Sequence, residues 1–157
     1  MQTKVRRQNR WVVIELRAQA IRGKAIANAM AVFLALAAGE CSPPPHFVLY
    51  VGHNGLMDAK LSSALPKKTS TQPIAAGVLA CASDGYFAPL LAKVGAERWL
   101  TTTNLLAPEG YVVDAAVRTF AARQTPQAVQ QAAGDAYAKY QKLSRRAGRR
   151  VFTGKRK

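Results

Sequence analysis

Apolar residues fall into short runs separated by polar, glycine-containing and proline-containing segments, a pattern that predicts strands alternating with helices. The predicted strands are 11–16, 46–51, 74–80 and 97–102. The second and third contain almost only apolar residues, which is typical of strands covered on both faces of a sheet. Residues 1–10 show no hydrophobic period and are predicted to form a loose basic arm.

The segment 24–38 predicts a helix. Its apolar residues recur with the 3.6-residue period of one helix face, at Ile26, Met30, Phe33, Leu34 and Ala37. Gly39 is a suitable residue to end this helix. Further helices are predicted at 84–94, at 108–122 and at 126–150, and the last becomes steadily more basic toward its end.

Helical segments between successive strands indicate βα units and a parallel sheet, since a parallel crossover needs about a dozen residues. The predicted fold class is α/β, a three-layer sandwich with a mostly parallel sheet and helices 24–38 and 84–94 on its faces. Four strands are few for such a sheet, so we expect it to lack an N-terminal strand or segment. The predicted domain organisation is a basic arm at 1–10, a single α/β domain at 11–143 and a basic tail at 144–157.

The composition indicates one globular domain: 157 residues, of which 49% are hydrophobic and 20% charged. Two cysteines and no C-x-x-C pair exclude a disulfide scaffold and a cysteine-rich zinc module. No apolar run reaches the ~18 residues of a membrane span, so we expect no membrane partner and a cytoplasmic location. The alternative is secretion, because residues 22–40 resemble a signal segment, with basic residues before an apolar core and small residues after it.

The net charge of +15 is concentrated at the two ends of the chain. Residues 1–24 contain seven Lys/Arg and one Glu, residues 25–138 contain seven of each sign, and residues 139–157 contain nine Lys/Arg and no acid. The C-terminal cations predict weak polyanion binding without sequence preference, through Arg145, Arg146, Arg149, Arg150, Lys155, Arg156 and Lys157. Tyr137 and Tyr140, three residues apart on the predicted helix, are expected to face the core rather than stack on bases.

The candidate chemistry lies where the two apolar strands end. His53 follows strand 46–51 and Cys81 follows strand 74–80. The carboxyl ends of neighbouring parallel strands meet at one edge of a sheet, about 5 Å apart. An imidazole beside a thiol increases its thiolate fraction and supplies a proton to a leaving amine. The adjoining turns are expected to supply N–H groups for an oxyanion, at Gly52, Asn54, Gly55 and Gly85.

These two segments resemble the caspase-like cysteine peptidases, a group that includes caspases, metacaspases, legumains, gingipains and separases. The matching stretches are FVLYVGHNG at 47–55 and AGVLACASDG at 76–85. The resemblance covers about residues 45–105 and implies a caspase-like fold, a peptide or protein substrate, His53 as general acid/base and Cys81 as nucleophile. The sequence departs from the family pattern at Asn54, which stands where a glycine follows the histidine, and at Asp84, which places the second glycine one residue later.

Other polar residues are placed near a substrate by position only, at Asp58, Ser83, Asp84, Thr103, Asn104 and Glu109. Asp58 is a candidate either to orient His53 or to serve as a helix N-terminal acid. We expect no cofactor and no metal, because His53, Cys81 and Asp58 match no known ligand spacing.

Two other interpretations stay open. A cysteine at the end of an apolar strand is commonly a small buried hydrophobe, and a histidine there can cap a turn. The protein would then be a non-catalytic caspase-like interaction domain. Alternatively, it is a weak nonspecific binder of nucleic acid or another polyanion. Thiol reactivity separates the hydrolase from the non-catalytic domain, and salt-dependent binding identifies the polyanion binder.

Overall fold

A computed structural model of the protein describes residues 2–7, 10–61, 64–107 and 109–154. Two strands, β1 (Gln2–Arg7) and β2 (Arg10–Glu15), pair antiparallel in a sheet of their own. Two predictions are therefore wrong: residues 2–7 form a strand rather than a loose arm, and the strand predicted at 11–16 does not join the parallel sheet. Strand β1 contains one apolar residue, Val5, so it offers no hydrophobic period to detect.

The main sheet has four strands in sequence order, β3 (Phe47–Val51), β4 (Ala75–Leu79), β5 (Glu97–Thr102) and β6 (Phe152–Thr153). Strand β4 pairs parallel with β3 on one side and with β5 on the other, while β6 pairs antiparallel with the end of β5. The expected α/β class with a mostly parallel sheet is confirmed, and the three strands predicted after residue 40 are direct neighbours.

Helices cover both faces of this sheet. On one face, α1 (Ile26–Ala38) and α2 (Ser83–Lys93) contribute to a core that includes Phe33, Val78 and Phe87. On the other face, α3 (Gly110–Ala121) and α4 (Pro126–Tyr140) pack over Leu79 and Leu100. Adjacent residues of a strand point to opposite faces, so Val78 and Leu79 lie in different cores. The apolar run of β4 is continuous because both of its faces are covered.

Residues 144–154, predicted as part of a basic tail, are packed into the domain. The helix predicted at 126–150 is interrupted after Tyr140, and α5 (Arg145–Arg150) follows with the side chain of Ser144 accepting the N–H of Ala147 as an N-cap. Phe152 of β6 is buried in the second core. Lys155, Arg156 and Lys157 lie outside the described residues, as does Pro108 at the predicted start of α3.

A bidentate ion pair joins α5 to α4. Arg149 Nε and Nη2 each donate to an oxygen of Asp135 at 2.6 Å. The hydrogen bond from Arg149 is the main reason that the pKa of Asp135 lies below its ordinary value. A carboxyl group whose pKa is lowered by folding contributes stability that is present above its unfolded pKa of about 4 and is lost as the pH falls through the folded value.

We therefore expect Asp135→Asn to weaken the pH dependence of stability. The urea midpoint of the wild type should fall more between pH 6 and pH 3 than the midpoint of the variant. Urea titrations at pH 6, 4.5 and 3 measure this. Parallel declines in the two proteins would show that the pair contributes nothing to acid sensitivity.

Candidate active site

His53 and Cys81 follow the adjacent parallel strands β3 and β4, as the sequence predicts. The Gly52 N–H donates to the Leu79 carbonyl at 3.1 Å, so strand pairing continues one residue beyond β3. The side chain of Asn54 then reaches the second loop, and its Nδ2 donates to the carbonyl oxygen of Cys81 at 2.7 Å. The two loops that carry the candidate residues are therefore joined at the carboxyl edge of the sheet.

Asn54 is fully buried, and both ends of its amide are used inside the protein. Its Oδ1 accepts the N–H of Leu56 at 3.1 Å and begins a 3₁₀ turn at Gly55–Met57. The sequence places Asn54 among the oxyanion donors, and its side-chain amide is not available for that role because Nδ2 is directed at the backbone of Cys81. Its position as the link between the two loops is a feature that sequence reasoning missed.

The peptide bond after Cys81 is held on both sides. Asn54 binds its carbonyl oxygen, and its N–H, which belongs to Ala82, donates to the carbonyl of Asn104 at 2.9 Å. Ala82 has φ 46° and ψ 33°, a left-handed conformation that costs an alanine about 1 kcal/mol. The hydrogen bonds on either side offset this strain and fix the backbone that presents the thiol.

The ring of His53 contacts a carboxylate. Nε2 lies 2.5 Å from Asp58 Oδ2, and both side chains are more than half exposed. The backbone carbonyl of His53 accepts the hydroxyl of Tyr50 at 2.7 Å, and burial raises the pKa of that hydroxyl, which keeps it a donor at neutral pH. Asp58 ends the 3₁₀ turn and is not a helix N-terminal acid, so of its two predicted roles the one compatible with this contact is orienting the imidazole, which stays a prediction.

The Cys81 thiol is partly exposed and contacts the backbone of Leu106. The Leu106 N–H donates to Sγ at 3.5 Å, and the thiol donates to the Leu106 carbonyl at 3.6 Å. The hydrogen bonds of Cys81 and His53 therefore go to different partners in this structure. The segment after β5, at 103–107, is the part of the chain that contacts the thiol.

The N–H groups of two other oxyanion candidates, Gly52 and Gly55, have partners within the fold. The N–H of Gly52 is used by Leu79, and the N–H of Gly55 donates to the carbonyl of His53 at 3.1 Å. Gly85 differs, because it is exposed in the first turn of α2 with open space around it. N–H groups in the first turn of a helix have no partner within the helix. The oxyanion role of Gly85 therefore stays a prediction.

Ser83 was placed near a substrate, and the structure instead buries it completely. Its Oγ donates to the Val78 carbonyl at 2.7 Å and lies 3.1 Å from Thr102 Oγ1. The Ser83 N–H also donates to Thr102 Oγ1, at 3.1 Å. This network joins the start of α2 to the ends of β4 and β5, so Ser83 stabilises the site without facing a substrate.

Two further candidates are also engaged in the fold. Asp84 accepts hydrogen bonds from Arg98 and from Thr101 Oγ1. Thr103 Oγ1 donates to the Arg150 carbonyl at 2.9 Å and links the loop to α5. Both side chains therefore have partners within the fold, and their placement near a substrate stays a prediction.

Asn104 and Glu109 are exposed on the loop after β5. The Asn104 Oδ1 accepts the N–H of Leu105 at 2.8 Å, and Glu109 immediately precedes α3. They lie on either side of Leu106, the residue that contacts Cys81, and they remain candidates.

Among the described residues, no group of three or more His, Cys, Asp or Glu side chains is placed to hold a metal ion. No helix in this part of the chain is both long enough and apolar enough to span a membrane. Comparison with protein-family models, with curated proteins and with solved structures finds no match to the chain.

Proposed function

We propose that the protein is a caspase-like thiol hydrolase, a cysteine peptidase in which Cys81 is the nucleophile and His53 the general acid/base. The observation that carries the proposal is the hydrogen bond from Asn54 to the Cys81 carbonyl, which joins the loop of the histidine to the loop of the cysteine. The contact between His53 Nε2 and Asp58 adds the third group of a nucleophile, base and orienting residue.

Each of these groups has a defined task in amide hydrolysis. His53 Nδ1 accepts the thiol proton, and the sulfur bonds to the substrate carbonyl carbon, whose π electrons move to oxygen. Collapse of this oxyanion breaks the C–N bond, and the imidazolium gives its proton to the departing amine. Water then adds to the thioester and loses a proton to His53, and the acid product leaves as the thiol regains that proton.

Substrate has to replace the contact between Cys81 and Leu106. The backbone N–H and C=O of Leu106 occupy the hydrogen-bonding positions of the sulfur in this structure. A bound peptide brings its own carbonyl to the sulfur, so the segment 103–107 shifts when the acyl group forms. The described form is thus a resting form of the proposed enzyme.

The two cysteines make a direct test of the proposal possible. At pH 6.5 we expect iodoacetamide to label Cys81 about tenfold faster than Cys41, because an imidazole partner increases the thiolate fraction. Cys41 is the internal control, since its thiol contacts only the Pro43 carbonyl among the described hydrogen bonds. His53→Ala should remove the difference. Mass spectrometry of tryptic peptides measures both rates in one sample.

Hydrolysis is tested separately with a pool of fluorogenic peptides. Cys81→Ala should abolish cleavage, and Asp58→Asn should lower kcat with little effect on stability because both partners are exposed. A Cys81 that reacts only after unfolding would overturn the proposal. The domain would then be a non-catalytic interaction module.

A further inference from the structure

The end of α4, the turn after it and α5 expose a basic surface that the proposed hydrolysis does not use. Between residues 135 and 150 there are six Lys/Arg and one acid, Asp135. Arg145 and Arg149 both lie within 4 Å of that carboxylate. Arg146 and Arg150 are exposed, and neither forms an ion pair with any described residue. They stand four residues apart and so share one face of α5.

This surface is built on a fixed element. A Cβ atom added to Gly148 would lie 2.4 Å from the carbonyl oxygen of Gly134, which shows that α5 rests directly on the backbone of α4. Phe152, two residues after α5, is buried in the core. Arg146 and Arg150 therefore lie on a helix that is packed against the domain. Binding of a ligand does not have to order this segment.

The last residue of α4 exposes an aromatic ring. Tyr137 is buried as predicted, but Tyr140 is 56% exposed, and the prediction that it faces the core is wrong. Its ring stacks on Tyr111, with centroids 4.2 Å apart and planes inclined by 16°. Gln141 Nε2 donates to the Tyr111 hydroxyl at 2.7 Å, and this hydrogen bond holds the ring of Tyr111 in place.

One cation, Lys139, lies beside this ring. Lys139 Nζ lies 5.3 Å from the centroid of Tyr140. Lys139 and Arg145 also line a shallow depression of about 450 Å³, together with Leu143 and Asp135. An oriented aromatic ring with a cation beside it, on a basic surface, is the combination with which proteins bind single-stranded nucleic acid, because bases stack on the ring and phosphates pair with the cations.

We infer that this surface binds single-stranded nucleic acid, with a base stacked on Tyr140 and phosphates paired with Lys139, Arg146 and Arg150. Binding shows little base preference because every base offers a π face. A duplex buries its base faces and binds less well. The inference is independent of the chemistry at Cys81, so it stands or falls separately from the proposed hydrolase.

The test is fluorescence anisotropy of the full chain with three labelled oligonucleotides. They are a single-stranded thymidine 20-mer, an abasic strand with the same number of phosphates, and a duplex of equal length. We expect the thymidine strand to bind about tenfold more tightly than the abasic strand, the gain being that of base stacking. Equal affinity for the two strands, or tighter binding of the duplex, would overturn the inference.

Matched variants locate the site. Tyr140→Leu keeps apolar cover on Tyr111 and should lose the tenfold preference, whereas Tyr140→Phe should retain it. Tyr86→Ala, at an exposed tyrosine on the opposite face, is the control. Arg146→Gln with Arg150→Gln should reduce the salt slope by about 1.4, from two lost phosphate contacts, while Lys60→Gln with Lys67→Gln should not. Equal effects of the paired variants and their controls, or preferential binding to anionic vesicles, would contradict the assignment.

Discussion

Replacing Asn54 with aspartate is expected to destabilise the protein by about 3 kcal/mol at neutral pH. The side chain is fully buried, and the ionised carboxylate has no N–H to donate to the Cys81 carbonyl. The Cys81 carbonyl oxygen would lose its hydrogen-bond donor and would face the buried negative charge at position 54. These two effects together destabilise a protein by about this amount. A protonated aspartic acid has one O–H donor, so the deficit should shrink as the pH is lowered toward 4. Urea denaturation at pH 7 and at pH 4.5 measures both effects.

Asn104→Asp is the matched control for this substitution. Asn104 is exposed and its side chain accepts a hydrogen bond from the Leu105 N–H, which a carboxylate also accepts. Its carbonyl, which binds Ala82, is unchanged by the substitution. We expect a change within about 0.5 kcal/mol. Similar losses in the two variants would show that Asn54 is not the link between the loops of His53 and Cys81.

Gly148→Ala is expected to destabilise the protein by about 3 kcal/mol. The new methyl carbon would lie 2.4 Å from the Gly134 carbonyl oxygen and 2.6 Å from the Ala138 Cβ. These atoms belong to the backbone and the first side-chain carbon of α4, so no flexible group can move aside, and the helices must separate. The separation of α4 and α5 weakens the ion pair at Asp135 and disturbs the pairing of β6, which directly follows α5, with β5.

Gly110→Ala tests whether this loss comes from crowding. Gly110 begins α3, and a Cβ there meets nothing within 4 Å. Alanine is the better helix former, so the free energy of unfolding should be unchanged or slightly higher. Urea denaturation of both variants at pH 7 gives the comparison. A Gly148→Ala protein as stable as the wild type would contradict the close contact between α4 and α5.

The three central strands could be predicted because burial on both faces leaves a continuous apolar run, as in β4. The helix α1 could be predicted because its buried face repeats with the helical period. Strand β1 could not, since pairing of its backbone with β2 needs no apolar side chains. The interruption after Tyr140 was missed because no Gly or Pro marks it. Its one signal is Ser144, whose side chain caps α5.

The sequence predicts which loops form the site, but it does not predict the hydrogen-bond partners of their side chains. The ends of β3 and β4 follow from strand order, so His53 and Cys81 fall at one edge. Hydrogen-bond partners do not follow from strand order, because they depend on how each loop turns after its strand. The sequence therefore assigned Ser83 and Asp84 to substrate, although both bind residues of β5 that lie 17 to 19 positions further along the chain.

The antiparallel pairing of β6 with β5 has a consequence for synthesis on the ribosome. Phe152 pairs with Thr102, so about 50 residues separate the two strands. At about 5–20 residues per second, the ribosome needs roughly 3–10 s to add them. During that interval β3, β4 and β5 are already available to pair, while the outer edge of β5 presents unmatched N–H and C=O groups. That edge is where a nascent chain would pair with a neighbouring copy, and β6 covers its last two residues, Thr101 and Thr102, once it is synthesised.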